Sequence, residues 1–298
     1  MKLMDKLPTF FLLGAAKSGT SSLYSYLNQH PQIYFPSYKE PHFFDGTIYE
    51  CGADWYIQNY FKHADAYLAR GDATPVLHLP HITVQRIAQT YGQQSADLKF
   101  IVVLRDPVDR AWSHYLHRTR VMVEDKAFPD ALSCENARLQ KNPNAWVGYF
   151  RDGLYAKQLS AWFQQFDRKQ FTIFLHEDLS DSSQVVDATL EHIGVDTSVN
   201  VDTSFRSNVA AQPRNKQLMR FLNEPPKLVQ LFGRTILQPS VRKQIRLFLR
   251  QKNSKPLSNK PMLDPVTASE LRLQYRQDIR RLEDLIKRDL SAWYVDRC

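Results

Sequence analysis

Three short apolar runs stand out along the chain: Phe10-Phe11-Leu12-Leu13, Phe100-Ile101-Val102-Val103-Leu104 and Phe171-Thr172-Ile173-Phe174-Leu175. Each is too short for an ordinary helix. Their near-continuous apolarity, without a polar residue at every second place, marks strands buried on both faces, as in a parallel sheet. Between and after them, apolar residues recur at helical spacing. Leu23, Tyr24 and Leu27 form one such set, which His30-Pro31 ends because proline disfavours helix at the residue before it. Tyr155 to Phe166, Ser183 to Ile193 and Ala268 to Arg288 form others. In the last, Leu271, Tyr275, Ile279, Leu282 and Ile286 make one stripe. Strands alternating with helices predict an α/β fold, a central parallel β-sheet flanked by helices on both faces.

Composition narrows the class without naming a function. The chain has 298 residues, 43% hydrophobic and 23% charged, as ordinary soluble domains are. A core of this size buries roughly 75% of the unfolded chain's surface, so no staple is required. The three cysteines, Cys51, Cys134 and Cys298, form no CxxC pair. A disulfide framework and a metal site are therefore not expected, and a reducing, cytoplasmic setting fits. The N-terminus is too short and too charged for a signal peptide, and Phe10 to Leu13 is far short of the ~20 residues a membrane span needs.

Formal net charge is +8, and the excess is local. From Pro225 to Leu263 there are nine bases and no acid: Lys227, Arg234, Arg242, Lys243, Arg246, Arg250, Lys252, Lys255 and Lys260. Such a stretch is either a solvated helix face or a contact for an anionic ligand or membrane surface. We read 1–298 as one domain, with the basic stretch of about 225–263 a mobile segment inside it.

The first run leads into Gly14-Ala15-Ala16-Lys17-Ser18-Gly19-Thr20-Ser21-Ser22, which opens a helix. The first N–H groups of a helix have no intrahelical partner and point at an anion. Small residues let a phosphate approach the backbone, Lys17 adds a charge, and Thr20 and Ser21 add hydroxyls. The order differs from the nucleoside triphosphate motif G-x-x-x-x-G-K-[ST], since here the lysine precedes the glycine. By itself the loop is also compatible with a plain strand–turn–helix.

Further motifs follow in order: His30-Pro31; Lys39-Glu40-Pro41-His42-Phe43-Phe44; Gly71-Asp72-Ala73-Thr74-Pro75; Leu104-Arg105-Asp106-Pro107 with Ser113; Gly153-Leu154-Tyr155; Gln158-Leu159 with Trp162; Lys260-Pro261; and Asp289-Leu290-Ser291 with Trp293. Together with Lys17 to Ser22, this series resembles the sulfotransferases that use 3′-phosphoadenosine 5′-phosphosulfate (PAPS). It is closest to the heparan sulfate sulfotransferase-like branch and its bacterial relatives, and it spans nearly the whole chain. The resemblance implies a P-loop-like α/β fold, with Lys17, Ser18, Gly19, Thr20, Ser21 and Ser22 on the 5′-phosphosulfate.

Arg105 ends the second strand, where open α/β sheets bind ligands, and its guanidinium can grip a phosphate bidentately. The resemblance assigns Arg105 and Ser113 to the nucleotide's 3′-phosphate. It also implies a late basic residue, Lys255 or Lys260, closing over the nucleotide.

Sulfuryl transfer needs a proton acceptor for the incoming group and a cation for the leaving phosphate oxygen. Lys17 suits the second task. Glu40, among aromatic and proline residues expected to desolvate it and raise its pKa, suits the first. The resemblance makes Glu40 the general base, with His42 in support. Many relatives carry a lysine at the place of Ala73; Arg118 or Arg120 would have to replace it, or the acceptor carries less negative charge. Phe44, Trp55, Tyr115, His117 and Tyr149 are candidate acceptor-lining residues.

The expected activity is transfer of a sulfuryl group to a hydroxyl or amine of a small metabolite or natural product. A saccharide or glycolipid acceptor is the alternative. Neither nucleic acid nor a metal is expected as a partner, while peripheral membrane contact is compatible with the basic stretch. A magnesium-dependent P-loop kinase of small molecules and a non-catalytic anion- or membrane-binding module are the competing classes.

Overall fold

The computed structural model describes residues 6–205, 211–223, 245, 248–249, 252–256 and 261–295. Five strands form one all-parallel sheet: β1 (Phe10–Gly14), β2 (Ile33–Tyr34), β3 (Ala69–Asp72), β4 (Lys99–Leu104) and β5 (Phe171–Leu175), in the order β2-β3-β1-β4-β5. The three apolar runs supply the central β1 and β4 and the outer β5.

The runs are continuous because both faces of the sheet are covered. Phe10, Leu12, Ile101 and Val103 pack with Leu23 and Leu27 of α1 (Thr20–Leu27) and with Val185, Val186 and Leu190 of α8 (Ser182–Ile193). Their neighbours Phe11, Leu13, Phe100, Val102 and Leu104 pack on the opposite face, whose layer includes α3 (Pro80–Tyr91), α7 (Tyr155–Gln165) and α10 (Pro265–Ile286). The period-two alternation of a strand thus feeds two apolar layers.

The α10 stripe is buried at all five expected residues. Asp264 caps this helix by accepting from Thr267 N–H at 2.9 Å, and Pro265 occupies its first turn.

Two elements nearest the chemistry escaped the hydrophobic pattern. β3 reads Ala-Arg-Gly-Asp, with no apolar run, yet a Cβ on Gly71 would lie 2.3 Å from the Phe35 ring and 2.5 Å from that of Phe10. The glycine lets β3 lie between these rings. α4 (Pro107–Arg120) starts at Pro107, with Asp106 accepting from the N–H groups of Val108 at 2.8 Å and Asp109 at 3.3 Å. The other Asp106 oxygen takes Arg272 of α10 at 3.1 Å, and Arg272 also donates to the Trp293 carbonyl. That buried pair ties the strand end carrying Arg105 to the C-terminal helix.

The remaining described helices are α2 (Gly52–Tyr56), α5 (Phe128–Ser133), α6 (Glu135–Lys141) and α9 (Lys216–Asn223). A two-stranded antiparallel ribbon, β6 (Ala211–Pro213) with β7 (Ser254–Pro256), lies beside α4. Most of the basic 225–263 stretch, Lys260 included, lies outside the described residues. Among the described residues, no helix is long and apolar enough to cross a membrane.

Candidate active site

The loop between β1 and α1 sits at the carboxyl end of the sheet. Lys17 (φ 73°) and Gly19 (φ 110°) both take left-handed backbone, which turns the chain sharply into α1. Gly19 is fixed by close approach: a Cβ there would meet Leu179 at 2.3 Å. The Ser18 carbonyl lies 2.9 Å from Nδ1 of His176, the residue after β5. Tyr155 donates its hydroxyl to the Arg105 carbonyl at 2.9 Å. The turn is therefore held from the end of β5, and α7 holds the neighbouring end of β4. His176 was absent from the sequence reading, although its place just past a strand's carboxyl end was the available signal.

Lys17 is largely desolvated, and this burial, reinforced by Arg120, lowers its pKa to about 8; Glu40 partly opposes the shift, and Lys39 and Arg105 add to it. These groups come from four separate stretches of sequence. Their convergence gathers cations around Glu40 at the helix N-terminus, where the aligned peptide dipoles also favour an anion.

Glu40 is held between two cations. Lys39 Nζ donates to Glu40 Oε1 at 3.0 Å and to Ser21 Oγ of α1 at 3.1 Å, with its head 5.6 Å from the Tyr24 ring centre. His42 Nε2 lies 3.8 Å from Glu40 Oε2, while its Nδ1 is 2.9 Å from Asp45. The expected rise in the Glu40 pKa is corrected by this surrounding. Burial does push it upward and is the largest single influence, but His42 and Lys39 together outweigh it and bring the carboxyl down to about 2. His42 moves the opposite way: burial lowers it, yet Asp45 and Glu40 prevail and raise it to about 10. Lys39, read from sequence only as a neighbour of Glu40, emerges as the bridge from that carboxylate to the phosphate loop.

Arg105 stands where its place at the end of β4 put it. Its Nη1 reaches the Lys17 carbonyl at 3.4 Å and its Nη2 reaches Asp109 at 3.5 Å. Both contacts are long, and Nε is buried without a partner among the described residues. A guanidinium with spare donors facing the loop suits a second phosphate. Ser113 lies one helical turn beyond Asp109, on the same face of α4. Lys255 is exposed on β7.

The expected acceptor-lining residues separate into three groups. His117 belongs to the cleft, within the fields of Lys17, Arg120, Arg118 and Glu40. Phe44 and Tyr149 are core side chains instead: Phe44 packs on Phe11, Tyr49, Tyr56 and Tyr91, and Tyr149 donates to Glu124 at 2.8 Å. Trp55 and Tyr115 are half-buried against other aromatics, Trp55 beside Tyr60 and Tyr115 between Trp112 and Phe128. Aromatic residues alone did not distinguish cleft from core.

Ala73 is also buried, on the α1 side of the sheet. Positive charge near the loop comes instead from the last turn of α4, which carries Arg118 and Arg120. Among the described residues no group of three or more His, Cys, Asp or Glu side chains is arranged to hold a metal.

Residues 7–229 match the family model of the sulfotransferase domain. Human heparan sulfate glucosamine 3-O-sulfotransferase 3B1 is 30% identical over 174 residues, which cover 58% of this chain and 42% of that protein. The human 3-O-sulfotransferase 6 is 31% identical over 193 residues, 64% of this chain and 53% of the relative. The matches thus span about half or less of these curated relatives. The solved structure of a sulfotransferase from Alicyclobacillus acidocaldarius superposes with a TM-score of 0.67 at 31% identity, covering 97% of this chain and 99% of that one. With three quarters of its length matching the family model, the chain belongs to the sulfotransferase domain family.

Proposed function

We propose that this chain transfers a sulfuryl group from PAPS to a hydroxyl or amine of a small acceptor, and that 1–298 acts as one domain in doing so. The observation that carries the reading is the convergence of Lys17, Glu40 and Arg105 on one helix N-terminus. The residues fit the donor: the Arg105 guanidinium has only long contacts among the described residues, and the α1 N-terminus carries no side-chain cap.

In this reading Lys17, Ser18, Gly19, Thr20, Ser21 and Ser22 hold the 5′-phosphosulfate, and Arg105 with Ser113 holds the 3′-phosphate. Lys255, on a ribbon beside α4, and Lys260 are the candidates for closing over the nucleotide. The donor supplies a sulfur whose bond to a 5′-phosphate oxygen breaks as the acceptor's bond to sulfur forms, the electron pair passing to that phosphate oxygen. Lys17 stabilises the charge arriving there. Glu40 takes the acceptor's proton; it is ionised at neutral pH, and Lys39 and His42 orient it. Its depressed pKa makes Glu40 a weak base, so transfer of the proton accompanies formation of the acceptor's bond to sulfur.

A small metabolite or natural-product alcohol suits the buried Ala73, which adds no charge to the site. A saccharide acceptor is the second reading, favoured by Arg118 and Arg120 and by the 3-O-sulfotransferase relatives. A cytoplasmic setting accords with the free thiols of Cys51 and Cys134.

The test is transfer of labelled sulfate from PAPS to a panel of alcohols, amines and saccharides, with and without magnesium. Transfer should proceed without magnesium, and Glu40→Gln should lower it by about 10²-fold or more while sparing nucleotide affinity. Normal turnover by Glu40→Gln would refute the base assignment. Magnesium-dependent phosphate transfer from ATP would favour the kinase class.

A further inference from the structure

We propose that His117 is a catalytic hydrogen-bond donor, its Nε2–H bonding a non-bridging oxygen of the sulfuryl group during transfer. The inference rests on the sulfuryl-transfer reading above and adds a residue and a defined tautomer to it.

The geometry begins with Arg120. Its Nη2 lies 2.9 Å from His117 Nδ1, one turn away on α4. A guanidinium has donors only, so Nδ1 must present a lone pair to it. A neutral imidazole carries one ring proton, which is thereby placed on Nε2. A doubly protonated ring would set Nδ1–H against the arginine N–H and lose the bond. The ring is held in place by Trp146, 5.2 Å away in an edge-on arrangement.

The charges around the ring act in the same direction. Burial comes first, and the nearby Lys17 of the phosphate loop, Arg120 and Arg118 reinforce it, while Glu40 opposes them. Together they keep the ring neutral down to about pH 3. His114, one turn earlier on α4, is also uncharged and offers no compensating negative charge.

Accessibility differs between these two histidines. Both ring nitrogens of His114 are sealed from solvent and have no partner among the described residues. His117 Nε2 has no partner among the described residues but is not sealed. It is therefore the ring atom free to meet a ligand, on a ring within the fields of Lys17 and Glu40. An anion bound by Lys17 is the ligand such a donor would find.

This assignment excludes His117 as the base. Nδ1 is occupied by Arg120, and Nε2 already bears its proton. The acceptor's proton goes to Glu40, the electron pair of the breaking S–O bond goes to the phosphate oxygen beside Lys17, and His117 keeps its proton throughout. Its contribution is electrostatic, a neutral donor aimed at oxygens on which charge redistributes.

The experiment compares His117→Ala and His117→Gln in the full chain, using PAPS turnover, calorimetric binding of 3′-phosphoadenosine 5′-phosphate (PAP) and nitrogen-15 NMR of the histidine rings. Removing one such donor costs about 10²-fold in kcat. We expect that loss in His117→Ala, with PAP affinity unchanged. The glutamine amide restores a neutral donor, so His117→Gln should recover to within about tenfold of the parent. NMR should report the Nε2–H tautomer with no titration between about pH 5.5 and 8. An unimpaired His117→Ala, a His117→Gln as slow as His117→Ala, or a ring that titrates near its ordinary value would each overturn the assignment. Failure of the unsubstituted protein to bind PAP would instead count against the underlying reading of the function.

Discussion

Lys17 and Glu40 illustrate how one cleft sets two ionisation states in opposite senses. Lys17 is desolvated among other cations, so its charge is costly, whereas Glu40, partly desolvated as well, is flanked by cations that favour its charge. The kcat/KM profile reports the free enzyme. It should therefore fall above about pH 8 as Lys17 loses its proton, with no acid limb near neutrality from Glu40. Arg120→Gln should move the alkaline limb upward, since Arg120 is the strongest charge opposing Lys17; a limb that stays put would contradict that role. The Glu40–His42 pairing has a definite pH window. The depressed Glu40 value means its contribution is present above about pH 4.5 and fades as pH falls through about 2. The raised His42 value means its contribution is complete below about pH 6.5 and fades as pH rises through about 10. Both side chains are substantially exposed, so solvent screening keeps the effect on folding stability small.

At the scale of elements, β3 shows how packing overrides local pattern. Its sequence offers no hydrophobic run, but Gly71 lets the backbone lie against two aromatic rings, and Asp72 is buried accepting from Thr74 N–H at 2.8 Å and from the hydroxyls of Thr74 and Tyr56. Gly71→Ala should destabilise the protein by about 1–3 kcal/mol, the usual cost of overpacking a filled core. Urea unfolding would read it, and an unchanged midpoint would mean that Phe35 and Phe10 yield without penalty. The same element explains the limit of sequence reading here. β1, β4 and β5 were legible because burial on both faces demands unbroken apolarity, and the α10 stripe because one face is buried. β3 and β2 were not, since a glycine contact and a two-residue pairing leave no periodic trace. The positions of Lys17 and Arg105 beyond the carboxyl ends of β1 and β4 were legible from the apolar runs before them. The cationic clasp on Glu40 was not, because it depends on where Lys39 and His42 point. Phe44 and Tyr149 were misplaced because an aromatic residue looks alike in sequence whether it lines a cleft or fills a core.

Across the whole molecule, the cleft is assembled from distant segments and held by a few long-range ties. Arg105 follows β4, Glu40 precedes β3, and the strand end carrying Arg105 is tied to the C-terminal helix through the Asp106–Arg272 pair. Removing one partner of a buried pair typically costs 3–5 kcal/mol, because the other charge is left uncompensated. Arg272→Met should therefore lower stability by about that amount and weaken nucleotide binding through Arg105, although it touches no proposed ligand. A variant with parental unfolding and binding would show that the C-terminal helix is not needed to hold the site.

In the proposed reading Lys17 and Arg105 form two ends of one nucleotide site, and calorimetric titration of the 298-residue chain with PAP is the decisive measurement. One site per chain is expected, weakened about tenfold or more by Arg105→Ala and retained in Glu40→Gln, in keeping with the ~1.5–3 kcal/mol of a charge-assisted hydrogen bond. Absence of PAP binding by the folded protein, or binding indifferent to Arg105, would contradict it.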